Sequence, residues 1–173
     1  MKKILVLLFC TSLAFAQKDL SSAEKFQTEL NKSYADSLKS PLMKEDLKQF
    51  KGLDFFSINE KYIVEATFIR TKKEKPFGMK TTTSRTPLYK KYGELHFEID
   101  GKALKLNVYQ NVDLNKKPGY EDYLFLPFSD LTCGKESYIG GRYVDMKIQK
   151  GKTWTIDFNK AYNPYCAYNY KYS

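Results

Sequence analysis

The sequence predicts a mainly β fold, an antiparallel barrel-like or strongly bent sheet, with two N-terminal α-helices packed on it. Three observations lead there. Apolar residues recur at helical spacing as far as Phe50 and at a period of two from Phe55 onward. Aromatic residues make up 16% of the chain, with 14 Tyr and 12 Phe, and these side chains favour strands. Two stretches, residues 93–109 and 142–158, carry hairpin turns between alternating apolar positions. At 173 residues, 42% hydrophobic, the chain is long enough to bury one core.

Met1-Lys2-Lys3, the apolar run Ile4-Leu5-Val6-Leu7-Leu8-Phe9 and the small-x-small site Ala14-Phe15-Ala16 read as a secretory signal peptide over residues 1–16. It is too short to span a bilayer, and no other apolar run is long enough. Phe9 stands before Cys10 where a lipobox requires a small residue. The expectation is therefore an exported periplasmic or secreted protein rather than a lipoprotein.

Removal of Lys2 and Lys3 lowers the net charge from +9 to +7. Residues 70–91 carry an equal local excess: Arg70, Lys72, Lys73, Lys75, Lys80, Arg85, Lys90 and Lys91 against Glu74 alone. Export makes nucleic acid an unsuitable partner for this stripe and leaves weak contact with anionic lipid, glycan or phosphate surfaces. The plainer reading is a solvated strand edge guarded by lysine. Export also permits a disulfide between Cys133 and Cys166, although sequence alone does not fix their geometry.

Taken in order, residues 17–53 form a helical segment and residues 54–173 a β domain. Ser21-Ser22-Ala23-Glu24 reads as a capping box, and Ala23, Phe26, Leu30, Tyr34 and Leu38 continue at helical spacing, predicting a helix over residues 22–39. A short second helix over residues 44–50 stops at Gly52, with Leu42, Leu47, Phe50 and Leu53 as its docking side chains. Residues 62–69 alternate as a strand, and a Pro-Phe-Gly turn and a Thr-rich run follow. In residues 93–109, Asp100-Gly101 supplies a two-residue turn that needs positive φ. Pairing Ile99 with Lys102 then sets Phe97 opposite Leu104 and Leu95 opposite Leu106 on one face. His96 falls between Glu94 and Glu98 on the polar face, which fits a solvated strand histidine better than a catalytic one.

Residues 120–127 form a short apolar strand. In residues 142–158 a three-residue loop, Gln149-Lys150-Gly151, sets Met146 opposite Trp154, Val144 opposite Ile156 and Tyr143 opposite Asp157. A two-residue loop would break the apolar face.

Tyr109-Gln110-Asn111, the segment from Gly119 through Glu121-Asp122-Tyr123 to Phe128, Gly134-Lys135-Glu136, Gly140-Gly141-Arg142-Tyr143 and the segment from Asp157 to Tyr168 resemble the DUF1684 family, bacterial and archaeal proteins of unknown function. The resemblance runs from about Ser40 to the end. It implies a fold and a region of interest but no activity. The family pattern continues past the equivalent of Ser173 with a Cys-Pro-x-Pro-Pro-x-Glu-Asn-like segment. The resemblance therefore implies a C-terminally incomplete chain, with the partner of Cys166 in the missing part and a Cys133–Cys166 bridge peculiar to this sequence.

Asp122, Asp130, Glu136, Asp145 and Asp157 lie near Arg142 and Asn159 in sequence. Paired carboxylates can serve general acid–base chemistry, and they equally form structural ion pairs with Arg142 and Lys147. Gly140-Gly141 before Arg142 can form an anion-binding nest or simply a tight bend. No spacing matches a Ca²⁺ loop, a zinc motif or a nucleophile elbow, so no metal or cofactor is expected and no catalytic residue is assigned. Residues 157–168 offer flat rings beside amides, equipment for a sugar or another small polar or anionic ligand. The rival reading is a lid of packed tyrosines. The candidate ligand-binding residues are Asp122, Glu136, Arg142, Tyr143, Asp157, Asn159, Tyr162, Asn163, Tyr165 and Tyr168. The function expected is that of an exported cell-envelope binding domain. The alternative is a carboxylate-dependent hydrolase or lyase whose anionic substrate is held by Arg142.

Overall fold

A computed structural model describes residues 18–81 and 84–172. The expected signal peptide, Cys10 and part of the Thr-rich run lie outside the described residues.

Helix α1 spans Ser21–Ala35, with Ala23 and Tyr34 buried on its inner face. The expected capping box does not form. Leu20 occupies the N-cap position without a side-chain bond, and the Asp19 carboxylate accepts from the Ser21 N–H at 2.9 Å. The helix also ends before residue 39. Asp36 leaves the helical region and accepts from the Leu38 N–H at 3.0 Å, a local turn that competes with helix continuation and leaves Leu38 exposed. Helix α2, Lys44–Gln49, is followed by Phe50, whose ring packs 6.3 Å from that of Tyr34. The Asn31 side chain accepts from the Leu53 N–H at 2.8 Å and ties the segment after α2 back onto α1.

Among the described residues seven strands follow: β1 (Ile63–Arg70), β2 (Phe77–Gly78), β3 (Leu88–Ile99), β4 (Lys102–Asn111), β5 (Tyr123–Phe128), β6 (Arg142–Lys147) and β7 (Thr153–Asp157). They form one strongly curled antiparallel half-barrel, ordered β6-β5-β4-β3-β1-β7, with β2 pairing to β3 beyond the end of β1. The β3–β4 hairpin has the expected register: Ile99 faces Lys102, Phe97 faces Leu104 and Leu95 faces Leu106. Asp100 and Gly101 both take positive φ at the turn. Tyr92 is the extra residue of a bulge in β3. Beside it Gly93 is required, because a Cβ there would lie 2.3 Å from the Phe68 ring and 2.6 Å from the Ile69 carbonyl.

The expected hairpin of residues 142–158 is not formed. All of β6 pairs with β5 and all of β7 with β1, so two strands adjacent in sequence stand at opposite ends of the sheet. Asp157 consequently faces Ile63, and Tyr143 bridges Tyr162. The alternation was sound, since Val144, Met146, Trp154 and Ile156 all point inward. Alternation specifies a face, however, and not a neighbour. The connection is drawn apart by other partners: Ile148 N–H donates to the Asp122 carbonyl at 2.8 Å, and Phe68 N–H donates to the Lys152 carbonyl at 2.7 Å. Gln149 spans part of the gap, its side chain exchanging two 2.8 Å hydrogen bonds with the backbone of Thr155.

Inside the curl, Val64, Ala66, Leu95, Val108, Leu124, Leu126, Val144, Met146, Trp154 and Ile156 form the core. Trp154 stacks on Phe68 with centroids 3.8 Å apart and donates its indole N–H to the Gly151 carbonyl. Burial of this apolar surface is the main favourable term in folding.

Candidate functional site

The core stops short of the mouth of the half-barrel. Beyond it lies a cavity of about 890 Å³, within the usual range for small-molecule sites. Its walls are largely apolar. Phe97 and Ile99 come from β3, Leu104 and Leu106 from β4, Phe128 from the end of β5, and Phe158 from the 3-10 turn after β7. Phe56, Tyr62 and Leu131 complete it from the loops and remain substantially exposed.

Arg142 begins β6 directly opposite Phe128 and joins Lys105, Asp130 and Glu136 as the charged residues of the wall. Only 13% of its side chain is exposed. Its Nη2 donates to the Asp130 carboxylate at 2.6 Å, and the guanidinium lies 4.8 Å from the Phe56 ring and 5.2 Å from the Phe128 ring. Its Nε is buried without a hydrogen-bond partner among the described residues. Asp130 is fixed in turn by Thr132, which donates from its N–H at 2.9 Å and from its hydroxyl at 2.5 Å. Burial pushes the Asp130 carboxyl up, but the Thr132 hydrogen bonds and the Arg142 charge together hold it below the ordinary carboxylate range. The Gly140-Gly141 pair makes a tight bend. Gly141 has φ of 94°, and a Cβ there would meet the Phe128 carbonyl at 2.5 Å.

Of the residues expected to bind ligand, Arg142, Glu136 and Asn159 line this cavity. The other seven lie outside its lining, each with protein partners. Asp157 accepts from the N–H and the side-chain amide of Asn159 and so caps the 3-10 turn that follows β7. Asn159 also exchanges hydrogen bonds with the backbone of Asn59, at 2.9 and 3.0 Å. Asn163 accepts from the Tyr138 N–H and donates to the Tyr168 hydroxyl. Tyr143 packs between Phe125 and Tyr162, with centroids 4.7 and 5.9 Å away. The hydroxyls of Tyr162 and Tyr123 both donate to Asp145, at 2.8 and 2.7 Å. Burial, reinforced by the Asp145 charge, pushes the Tyr162 phenol far above the usual tyrosine range. Tyr165 and Tyr168 pack edge-on against Tyr34 of α1, and Asp122 pairs with Lys147 at 3.3 Å.

Among the acids, Asp130 and Glu136 share the cavity, whereas Asp122, Asp145 and Asp157 do not line it. His96 lies 3.0 Å from Glu94 on the sheet's polar face. In the basic stretch, Arg70 stacks on Tyr92 at 3.7 Å and Lys91 pairs with Glu94 at 2.6 Å, while Lys72, Lys73, Lys75 and Lys80 are exposed. Cys133 and Cys166 are free thiols. Sequence reasoning missed the apolar lining from Phe56 and Leu131. The face shared by Phe97, Leu104 and Leu106 was visible, but not that it borders open space.

No curated protein matches the chain. The chain is similar to the solution NMR structure of an uncharacterized protein of Haloarcula marismortui, with 30% sequence identity, a TM-score of 0.68 and coverage of 88% of this chain and 82% of that one. A family model described as a protein of unknown function, DUF1684, matches residues 48–173. The curled sheet and its mouth fall almost wholly within that span, and the chain belongs to the DUF1684 family.

Proposed function

We propose that this chain is an exported domain of the cell envelope that binds a small, largely apolar molecule in the mouth of its half-barrel. The observation that carries this reading is the cavity of about 890 Å³, walled by side chains from β3, β4 and β5. Natural cores are close-packed, so a space of this size beside a well-filled core is a retained feature. Export rests on the sequence of residues 1–16. Among the described residues no helix is long and apolar enough to cross a membrane.

A glycan fits less well than the loop composition implied. The amides of Asn159 and Asn163 are engaged with backbone and tyrosine, so the polar equipment of residues 157–168 is committed within the protein. Carboxylate catalysis has Asp130 and Glu136 in one cavity to support it. Asp130, however, is held ionised by Arg142 and Thr132, which disfavours it as a proton donor at neutral pH.

A thermal-shift screen of the mature chain tests the reading. Apolar and amphipathic compounds are expected to raise Tm by roughly 5–10 °C at concentrations near 100 times Kd, worth about 2.7 kcal/mol. Leu104→Trp, which fills the cavity, is expected to abolish the shift. A panel that leaves Tm unmoved defeats the proposal.

A further inference from the structure

β4 and β5 ladder only where Tyr109 faces Phe125, and a separate, shallower pocket of about 330 Å³ lies between Asn107 and Gly140, with Lys105, Leu106, Phe128 and Ser129 common to both linings. Two residues lining these pockets each have a buried side-chain atom without a hydrogen-bond partner among the described residues, Arg142 its Nε at the larger and Asn107, which faces Glu94 on the sheet's polar side, its Oδ1 at the smaller. A third such atom, Oδ1 of Asn115, lies on the turn after β4, away from both linings. Native interiors satisfy nearly all such groups, so each exception calls for an account.

Arg142 is also held in place. Asp130 fixes Nη2, and the Phe56 and Phe128 rings flank the guanidinium. Nε is therefore an oriented and desolvated donor, and the partner it lacks is an oxygen acceptor. Of the two carboxylates in the lining, Asp130 is already engaged by Arg142 and Thr132 and Glu136 is solvent-exposed, so a cationic head meets a weaker anchor than the desolvated Arg142 offers an anion. Resting on the ligand-binding reading above, we propose that the ligand is an amphipathic acyl-type molecule that lays its chain against Phe97, Leu104 and Leu106 and brings a carboxylate or carbonyl oxygen to Arg142. Charge-assisted hydrogen bonds of this kind are among the stronger ones available to a buried arginine.

Isothermal titration of the mature chain with dodecanoate and with dodecyltrimethylammonium, each below its micelle concentration, separates head from tail. Dodecanoate is expected to bind at least about tenfold tighter. Arg142→Met is expected to erase that preference while leaving the cation unchanged. Arg142→Lys keeps the positive charge but loses the Nε donor, and is also expected to weaken dodecanoate. Circular dichroism confirms that each variant is folded. Equal binding of the two probes to the native chain overturns the head assignment and leaves the cavity reading standing. A preference that survives undiminished in either arginine variant also overturns it, as general attraction of a basic chain for anions. Binding of both probes unchanged by Leu104→Trp defeats the cavity reading itself.

Discussion

Asn107 and Glu94 show how two side chains one strand apart are used in opposite ways. Asn107 faces Glu94 across the β3–β4 ladder, yet its Oδ1 is buried unpaired while Glu94 gathers Lys91, His96 and Lys105. An unpaired buried acceptor costs roughly 1–3 kcal/mol, so Asn107→Leu is expected to stabilise the protein by about 1 kcal/mol in urea unfolding. A loss of stability would mean that Asn107 has a structural duty. Hydrogen bonds from Lys91 and then His96 pull Glu94 from its ordinary value of 4.5 to about 2. A carboxylate whose folded pKa is depressed contributes its stability in full above its unfolded value and loses it as pH falls through the folded one. Glu94→Gln is therefore expected to flatten the acid limb of stability between about pH 4.5 and 2, followed by thermal melts. The same scale shows where sequence falls short. Asn159 and Asn163 look identical in a sequence whether their amides meet a ligand or the protein's own loops. Here Asn159 bridges to Asn59, 100 residues away, and composition does not report such a bridge.

At the level of elements, the β3–β4 hairpin was legible because two independent signals, the Asp100-Gly101 turn and the apolar alternation, demanded one register. The β6–β7 pair lacked that second constraint. A loop containing Gly151 at positive φ serves a hairpin or a splayed connection equally well, and the choice was made by β5 and β1 competing for the two strands. The cavity was invisible for a related reason. Leu104 and Leu106 satisfy the alternation whether they meet a packed core or an open mouth. Local packing is least forgiving at the β3 bulge. Gly93→Ala places a Cβ against both the Phe68 ring and the Ile69 carbonyl, and an expected loss of about 3 kcal/mol should appear as a lower denaturation midpoint with an unchanged slope. Gln149→Ala removes the two hydrogen bonds that span from the β6 side to Thr155 and is expected to cost about 1–2 kcal/mol. Faster amide hydrogen exchange confined to β7 would check where the loss falls.

Across the whole molecule, the N-terminal helix and the C-terminal residues hold one another. Tyr34 is almost fully buried among Phe50, Tyr165 and Tyr168, the Phe26 ring meets that of Tyr162, and Asn169 donates to the Pro41 carbonyl at 2.8 Å. Tyr34→Ala is expected to cost about 3 kcal/mol and to expose the last dozen or so residues to proteolysis before the sheet unfolds. Simultaneous loss of both would show that the tail and the sheet unfold as one unit.

That mutual clasp also sets an order of events during synthesis. Helix α1 leaves the ribosome before any strand of the sheet, yet two of the rings that bury Tyr34, those of Tyr165 and Tyr168, belong to residues made only after β7. The first and last strands in chain order have the same dependence, because β1 waits for β7 on one of its sides. A nascent chain built this way has no finished fold to lock into until β7, Tyr165 and Tyr168 have been made. Under the export proposed above, such lateness keeps the polypeptide pliable for its passage across the membrane.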